Sequence, residues 1–182
     1  MNTEKKIIKG CLRQHKADQY RLYAMYSKKM FGICLRYSGS YEEAQDILQD
    51  GFVKVFKYLH TFKGKSGLEA WIRKIFINTA IEKYRERVYH LPIDLLPENG
   101  DFRSQSNTPD MLHVKDILAF VQNLPAQYRL VFNLYALEGY SHKEIGETLN
   151  ISESTSRSNL ARARSLLKEK LNKEAELILK VV

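Results

Sequence analysis

Ser154, Arg157, Ser158, Ala161, Arg162, Ser165 and Lys168 recur at the spacing of one side of an α-helix. Together they suit one kind of chemistry. An arginine offers planar, paired donors that match a phosphate or the O6 and N7 edge of guanine, and short side chains between arginines let a helix lie close against a surface. The opposite stripe, Ser156, Leu160, Ala163, Leu167 and Leu171, is the face such a helix buries. On this helix alone, an ordinary solvated face accounts for the basic side equally well.

Two further sets stand out. Glu42, Asp46 and Asp50 recur every four residues. Carboxylates in general acid–base work need a pocket, and as metal ligands they want a histidine nearby; the sequence suggests neither. A solvated face explains them, except that Val53 shares the stripe of Asp46, Gln49, Asp50 and Lys57. A polar stripe with an apolar member has the character of a protein–protein contact. The other set, Arg73, Lys74, Ile77, Asn78, Ile81, Tyr84 and Arg85, lies opposite the apolar side of its own helix. Cations for a backbone, an amide for a base edge and an aromatic for stacking suit single-stranded nucleic acid. A helix buried on two sides would explain Ile77 and Ile81 but not the three basic groups. Just before it, Phe62, Lys63, Gly64, Lys65 and Gly67 make a flexible basic loop with one aromatic.

The elements that must position these sets are helices. Leu22, Tyr23, Tyr26, Met30, Ile33, Cys34 and Tyr37 follow helical spacing. A second helix opens at Ser40 with Glu43 three residues on, and a third at Ser66 with Glu69, both in the capping-box relation. The second turns Ile47, Leu48, Phe52, Val55, Phe56 and Leu59 inward; the third turns Leu68, Ile72, Ile75 and Thr79 inward, flanked by Trp71 and Phe76. All four prolines fall between Pro92 and Pro125. The segment LPIDLLPENGDFRSQSNTPD mixes Pro, Gly, Asn and Ser with acidic charge and predicts an interdomain linker. Thr108-Pro109 and Leu124-Pro125 start two more helices, the latter stopping at Gly139. Ser141 and Glu144 repeat the capping box, a short helix runs to Asn150, and Ser152 caps the basic helix. Short helix, tight turn and longer basic helix form the helix-turn-helix pattern, with the buried stripe set on Ile145, Leu149 and Ile151. No run alternates as a strand does, so the chain reads as all-α.

Charge and composition narrow the partners. The chain of 182 residues is 44% hydrophobic, carries a net charge of +8, and has no unbroken apolar run beyond five residues. That length buries a real core, and no such run spans a membrane. Residues 1–87 hold 18 Lys/Arg against 9 Asp/Glu, residues 88–112 hold 1 against 4, and residues 113–182 hold 10 against 8. Two basic blocks around an acidic stretch argue for a polyanionic partner. Lys5, Lys6 and Lys9 precede no apolar segment of signal-peptide type. Cys11 and Cys34 form no CxxC, and the five histidines lack ligand spacing, so a cytoplasmic chain without metal or cofactor is expected.

The ordered motifs A-x-D-x-x-Q-[ED], F-x-G-x-S…W-[IL]-x-[RK]-I…N-[TA]-A, E-G-x-S-x-x-E-I and S-x-x-[ST]…R-A-R run through residues 18–87 and 112–171. In that order they resemble the extracytoplasmic-function sigma factors of bacterial RNA polymerase, a group within the sigma-70 superfamily. Leu68 stands where the family often has an aromatic, and Phe76 where it often has Ala. The resemblance implies two small helical domains, 1–87 and 113–182, joined by a flexible acidic linker, 88–112, with the helix-turn-helix in the second. It implies core-polymerase docking through Asp46, Gln49, Asp50 and Val53. It implies −10 recognition and melting through Phe62, Lys63, Lys65, Arg73, Lys74, Asn78, Tyr84 and Arg85. It implies −35 recognition through Ser154, Thr155, Arg157, Ser158, Ala161, Arg162 and Lys168. Partners would be core RNA polymerase and promoter DNA, duplex at −35 and melted at −10, with an anti-sigma factor as a candidate regulator. No covalent chemistry would belong to the chain itself. A stand-alone helix-turn-helix regulator is the competing reading; it leaves the basic third helix and the Asp46 stripe unexplained.

Overall fold

A computed structural model describes residues 2–64, 67–90 and 114–181, with side chains for 3–64, 67–87 and 118–173. The described residues form eight α-helices and one 3-10 turn, with no strand among them. Two compact units divide the chain: Met1–Leu35 with Tyr41–Lys83, and Arg36–Ser40 with Tyr84–Val182.

The first unit carries α1 (Asn2–Leu12), most of α2 (Lys16–Tyr37), α3 (Tyr41–Tyr58), the 3-10 turn Leu59–Thr61 and the larger part of α4 (Leu68–His90). Helix α1 was not expected from the sequence; Ile7 and Cys11, one turn apart, are its buried pair. The turn into α2 places Gly10 so close to Asp18 that an added Cβ would lie 1.9 Å from the carboxylate. On α2, Leu22, Tyr26, Met30, Ile33, Cys34 and Tyr37 are buried as expected, whereas Tyr23 is 41% exposed and lays its ring against Phe52, centroids 4.6 Å apart. Burial pushes the Cys34 thiol up to about 12, so it behaves as a small apolar filler.

Helix α3 begins directly after Ser40 and buries Ile47, Phe52, Val55 and, in the following turn, Leu59, while Leu48 and Phe56 are half-buried. It closes on α4 through Gly51. A Cβ there would stand 2.4 Å from the Phe76 ring, and Phe76 is fully buried and edge-on to Phe52 at 5.3 Å. The large residue at 76 is therefore matched by the missing side chain at 51. Burying a ring of this kind stabilises by roughly 2–3 kcal/mol. Lys83–Asp50, at 2.6 Å, and Lys54–Glu82 tie the same helices at the surface. Such exposed pairs contribute about 0–1 kcal/mol each, so the aromatic contact sets the seat.

Helix α4 corrects the expected pattern. Ile77 and Ile81 are 4% and 3% exposed, joining Leu68, Ile72, Phe76, Thr79 and Ala80 in the core. A helix apolar on nearly every side is buried on more than one. Its exposed residues include one row of about four-residue spacing, Ala70, Lys74, Asn78, Glu82 and Arg85, with Glu69 and Glu86 exposed beside it. Gly67 (φ +71°) holds the cap position, its carbonyl accepting from the Trp71 N–H, and Ser66 lies outside the described residues. Residues 88–90 of the segment expected as a linker continue α4, and residues 91–112 lie outside the described residues.

The second unit holds α5 (Val114–Gln122), α6 (Ala126–Ala136), α7 (His142–Leu149) and α8 (Glu153–Val181). The expected start of α5 at Thr108-Pro109 lies outside the described residues. Arg129 is buried and donates to the Gln122 and Leu124 carbonyls, which satisfies the end of α5. Pro125 caps α6, and Gly139 (φ +74°) supplies the left-handed turn after it, with the Tyr140 N–H donating to Leu134 O at 3.0 Å. The core includes Leu124, Leu130, Val131, Leu134, Ile145, Leu149, Leu160 and Ala163, with Ala119 and Val121 of α5 also buried. Leu167 is half-buried and Leu171 is 36% exposed, so the stripe of α8 loses its cover towards its end.

Candidate nucleic-acid interface

The helix-turn-helix is built by caps. Ser141 accepts from the Glu144 N–H and Glu144 reaches back to the Ser141 N–H, the complete box expected from SHKE. That backbone bond holds the Glu144 carboxyl below its usual range. Helix α7 ends at Asn150 in the left-handed conformation (φ 55°, ψ 47°), a region Asn tolerates. The chain then folds so tightly over α7 that a Cβ on Gly146 would stand 2.8 Å from the Ile151 carbonyl. Gly146 was not among the residues expected to matter; its one signal in the sequence is a glycine one turn before the end of a short helix. Ser152 caps α8, its hydroxyl accepting from the Thr155 N–H at 3.0 Å.

With α8 seated this way, Ser154, Arg157, Ser158, Ala161, Arg162 and Lys168 are exposed, and Thr155 is half-buried. Arg157 pairs with Glu153 along the helix, a solvated pair that holds the guanidinium near the first turn. Arg162 donates to the Tyr128 hydroxyl on α6 at 3.1 Å. Ser156 is fully buried, as its stripe required, and its hydroxyl meets His142 Nδ1 at 2.9 Å. Tyr128 was not expected at this face, because a contact between two helices leaves no local spacing signal.

In the first unit, Phe62 is half-buried against Trp71, centroids 5.6 Å apart, so the loop aromatic rests on α4. Trp71, expected only to flank the core, is thus part of the loop's seat. Lys63 is exposed, and Lys65 lies outside the described residues. Along α4, Lys74, Asn78 and Arg85 are exposed, Arg73 is half-buried, and Tyr84 is half-buried with its hydroxyl pKa raised by burial. On α3, Asp46 and Gln49 are exposed and Val53 is 61% exposed, a large apolar side chain left in solvent. Asp50 is half-buried and paired with Lys83. Among the described residues no helix is long and apolar enough to cross a membrane, and no cluster of His, Cys, Asp or Glu could hold a metal ion.

The family model for sigma-70 region 2 matches residues 22–88, and that for sigma-70 region 4 matches residues 115–167, in that order along the chain. The chain belongs to the sigma-70 family. Its relatives place it with the extracytoplasmic-function group. It is 27% identical over 160 residues to the ECF RNA polymerase sigma factor SigE of Mycolicibacterium smegmatis, covering 85% of this chain and 62% of that protein. It is 25% identical over 181 residues to the ECF RNA polymerase sigma-E factor of Haemophilus influenzae, covering 93% and 95%. The fold is similar to that of the sigma factor RpoE of Bartonella quintana, solved in complex with the anti-sigma factor NepR. That match has a TM-score of 0.56 at 21% identity over 85% of this chain and 97% of that one. As a sigma factor the chain acts in promoter recognition and transcription initiation. The region 2 match contains α3 and all but the end of α4, and the region 4 match contains α7 and the first half of α8, so every residue of the three sets singled out above except Lys168 belongs to the matched regions.

Proposed function

We propose that this sigma factor divides promoter recognition among three faces. The stripe of Asp46, Gln49, Asp50 and Val53 docks on core RNA polymerase. The loop with Phe62, Lys63 and Lys65, and the exposed row of α4 centred on Asn78, open the −10 element and take up a flipped non-template base, with Arg73, Lys74, Tyr84 and Arg85 supporting the strand. Residues 154–162 enter the major groove at −35, and Lys168 meets phosphate beyond it. Polymerase makes the RNA, so the chain carries no catalytic group, and it works in the cytoplasm. A sigma factor solved with an anti-sigma factor is similar in fold, and an anti-sigma protein is accordingly a candidate regulator.

One observation carries the −35 assignment. The cap at Ser152 and the turn at Asn150 present α8 so that its exposed face is basic, bears short side chains, and begins at the helix N-terminus. The first turns of the second helix are the part that reaches base edges in helix-turn-helix complexes. Within them Arg157 is the one side chain able to grip guanine O6 and N7 together, a contact worth about 1–3 kcal/mol of discrimination.

The test is competition among duplexes carrying single-base changes at −35, bound by the holoenzyme at two salt concentrations. Arg157→Ala relaxes the preference at one or two positions. Lys168→Ala weakens every sequence about equally and makes the salt dependence shallower by roughly one phosphate's share. Should Arg157→Ala lower all variants by one common factor, α8 positions the protein without reading the bases.

A further inference from the structure

The last arginine of the R-A-R motif, Arg164, has no part in the division of labour above. It is exposed, and it stands seven residues after Arg157, hence on the same side of α8. Arg162 and Arg164, two residues apart, point about 160° apart around the helix axis, one on each flank of the face centred on Ala161. Each flank is held by a tyrosine of α6, and these tyrosines are themselves seven residues apart. Tyr128 accepts from Arg162 at 3.1 Å, and the Tyr135 ring lies under the Arg164 guanidinium, 5.7 Å from carbon to centroid.

The flank of Arg164 is the more elaborate. Tyr135 is 37% exposed and is stacked on the His142 ring at 4.6 Å and 20°. His142 is in turn fixed through Nδ1 to the buried Ser156 hydroxyl of α8. His142 opens α7, so the ladder of imidazole, phenol and guanidinium runs from the start of the first helix of the motif to the edge of the second. A cation over an aromatic face stays charged while its orientation is fixed, and guanidinium is the group best matched to phosphate oxygens.

We infer that Arg164, oriented by the Tyr135–His142 stack, binds a DNA backbone phosphate on the groove wall nearest α7. A major groove has two phosphate walls, and a recognition helix lying between them presents one flank to each. In helix-turn-helix complexes the first helix crosses the backbone, which marks the wall on the α7 side as the one Arg164 faces. Arg162 faces the other. The inference rests on the placement of α8 at the −35 element proposed above and adds a contact that fixes register without reading sequence.

The experiment uses the holoenzyme and −35 duplexes in which single phosphates along each strand are replaced by neutral methylphosphonate. Arg164→Ala should weaken all −35 sequences alike, by about five- to tenfold, and lower the log–log salt slope by about one. One methylphosphonate position should weaken wild type by a comparable factor and leave Arg164→Ala unaffected. Tyr135→Leu should lose part of the affinity, and Tyr135→Phe, which keeps the ring, should restore it; thermal melting confirms that both remain folded. An unchanged salt slope, or a variant as sensitive to every neutralised phosphate as wild type, overturns the role of Arg164. If Arg157→Ala still relaxes the −35 preference in that case, the loss concerns Arg164 alone. If Arg157→Ala is also silent, α8 is not the −35 element.

Discussion

Asp46→Arg is expected to lower the affinity of this sigma factor for core RNA polymerase by roughly ten- to a hundredfold, while its fold is unaffected. Asp46 is exposed on α3 beside Gln49 and the bare Val53 side chain, so the substitution touches no packed group. Reversing a charge at a docking surface both removes an attraction and introduces a like-charge contact, a combination worth about 1.5–3 kcal/mol. Asp50 sits on the same stripe, but its carboxylate is already shared with Lys83 at 2.6 Å. Asp50→Asn should therefore do less than Asp46→Arg. Val53→Asp, which places a desolvation cost where an apolar contact was, should approach the effect of Asp46→Arg. Titration of labelled protein with core enzyme reads all three. Equal affinity for wild type and both Asp46→Arg and Val53→Asp would remove this stripe from the interface.

The second large effect concerns strand opening. Asn78→Ala and Phe62→Ala should each reduce open complexes on a fully paired promoter by about tenfold or more. On a template with a pre-melted bubble at −10, most of that deficit should disappear. The asymmetry follows from the cost of unstacking and unpairing a base, a few kcal/mol, which pocket contacts must offset and which a bubble has already met. Asn78 lies midway along the exposed row of α4, so its loss removes an amide from the surface without opening a cavity. Phe62 rests on Trp71, and its removal leaves Trp71 without the ring against it. Permanganate reactivity of thymines near −10 measures opening directly. Footprints equal to wild type on duplex DNA would mean that neither residue meets the melted strand.

How much of this was legible depends on how many sides of a helix are buried. On α8 the single apolar stripe left a clean opposite face, and the capping residues Ser141, Glu144 and Ser152 marked the helix starts; both readings match the structure. On α4 the one-face assumption failed. Ile77 and Ile81 are in the core, and a helix surrounded on most sides shows no strong periodicity to read. Asn78, read as part of the outward side, is exposed. Helix α1 escaped because its buried pair, Ile7 and Cys11, spans only one turn amid lysines. The Gly51–Phe76 fit and the Tyr135–Arg164 contact were out of reach for another reason. Both are agreements between side chains on different helices, and periodicity within one helix carries no trace of them.

In the function proposed above, one chain gives core polymerase its promoter, through a melting face in region 2 and a reading face in region 4. Runoff transcription on a library of fully paired promoters, with core enzyme alone and with core enzyme plus this sigma factor, tests it most directly. Transcripts of discrete start site are expected only when the sigma factor is present, from templates that share a −35 and a −10 element. Arg157→Ala should widen the set of −35 sequences used, and Asn78→Ala should lower output on duplex far more than on bubble templates. Binding of the chain to DNA without core enzyme, with no start-specific transcript when core enzyme is added, would contradict it.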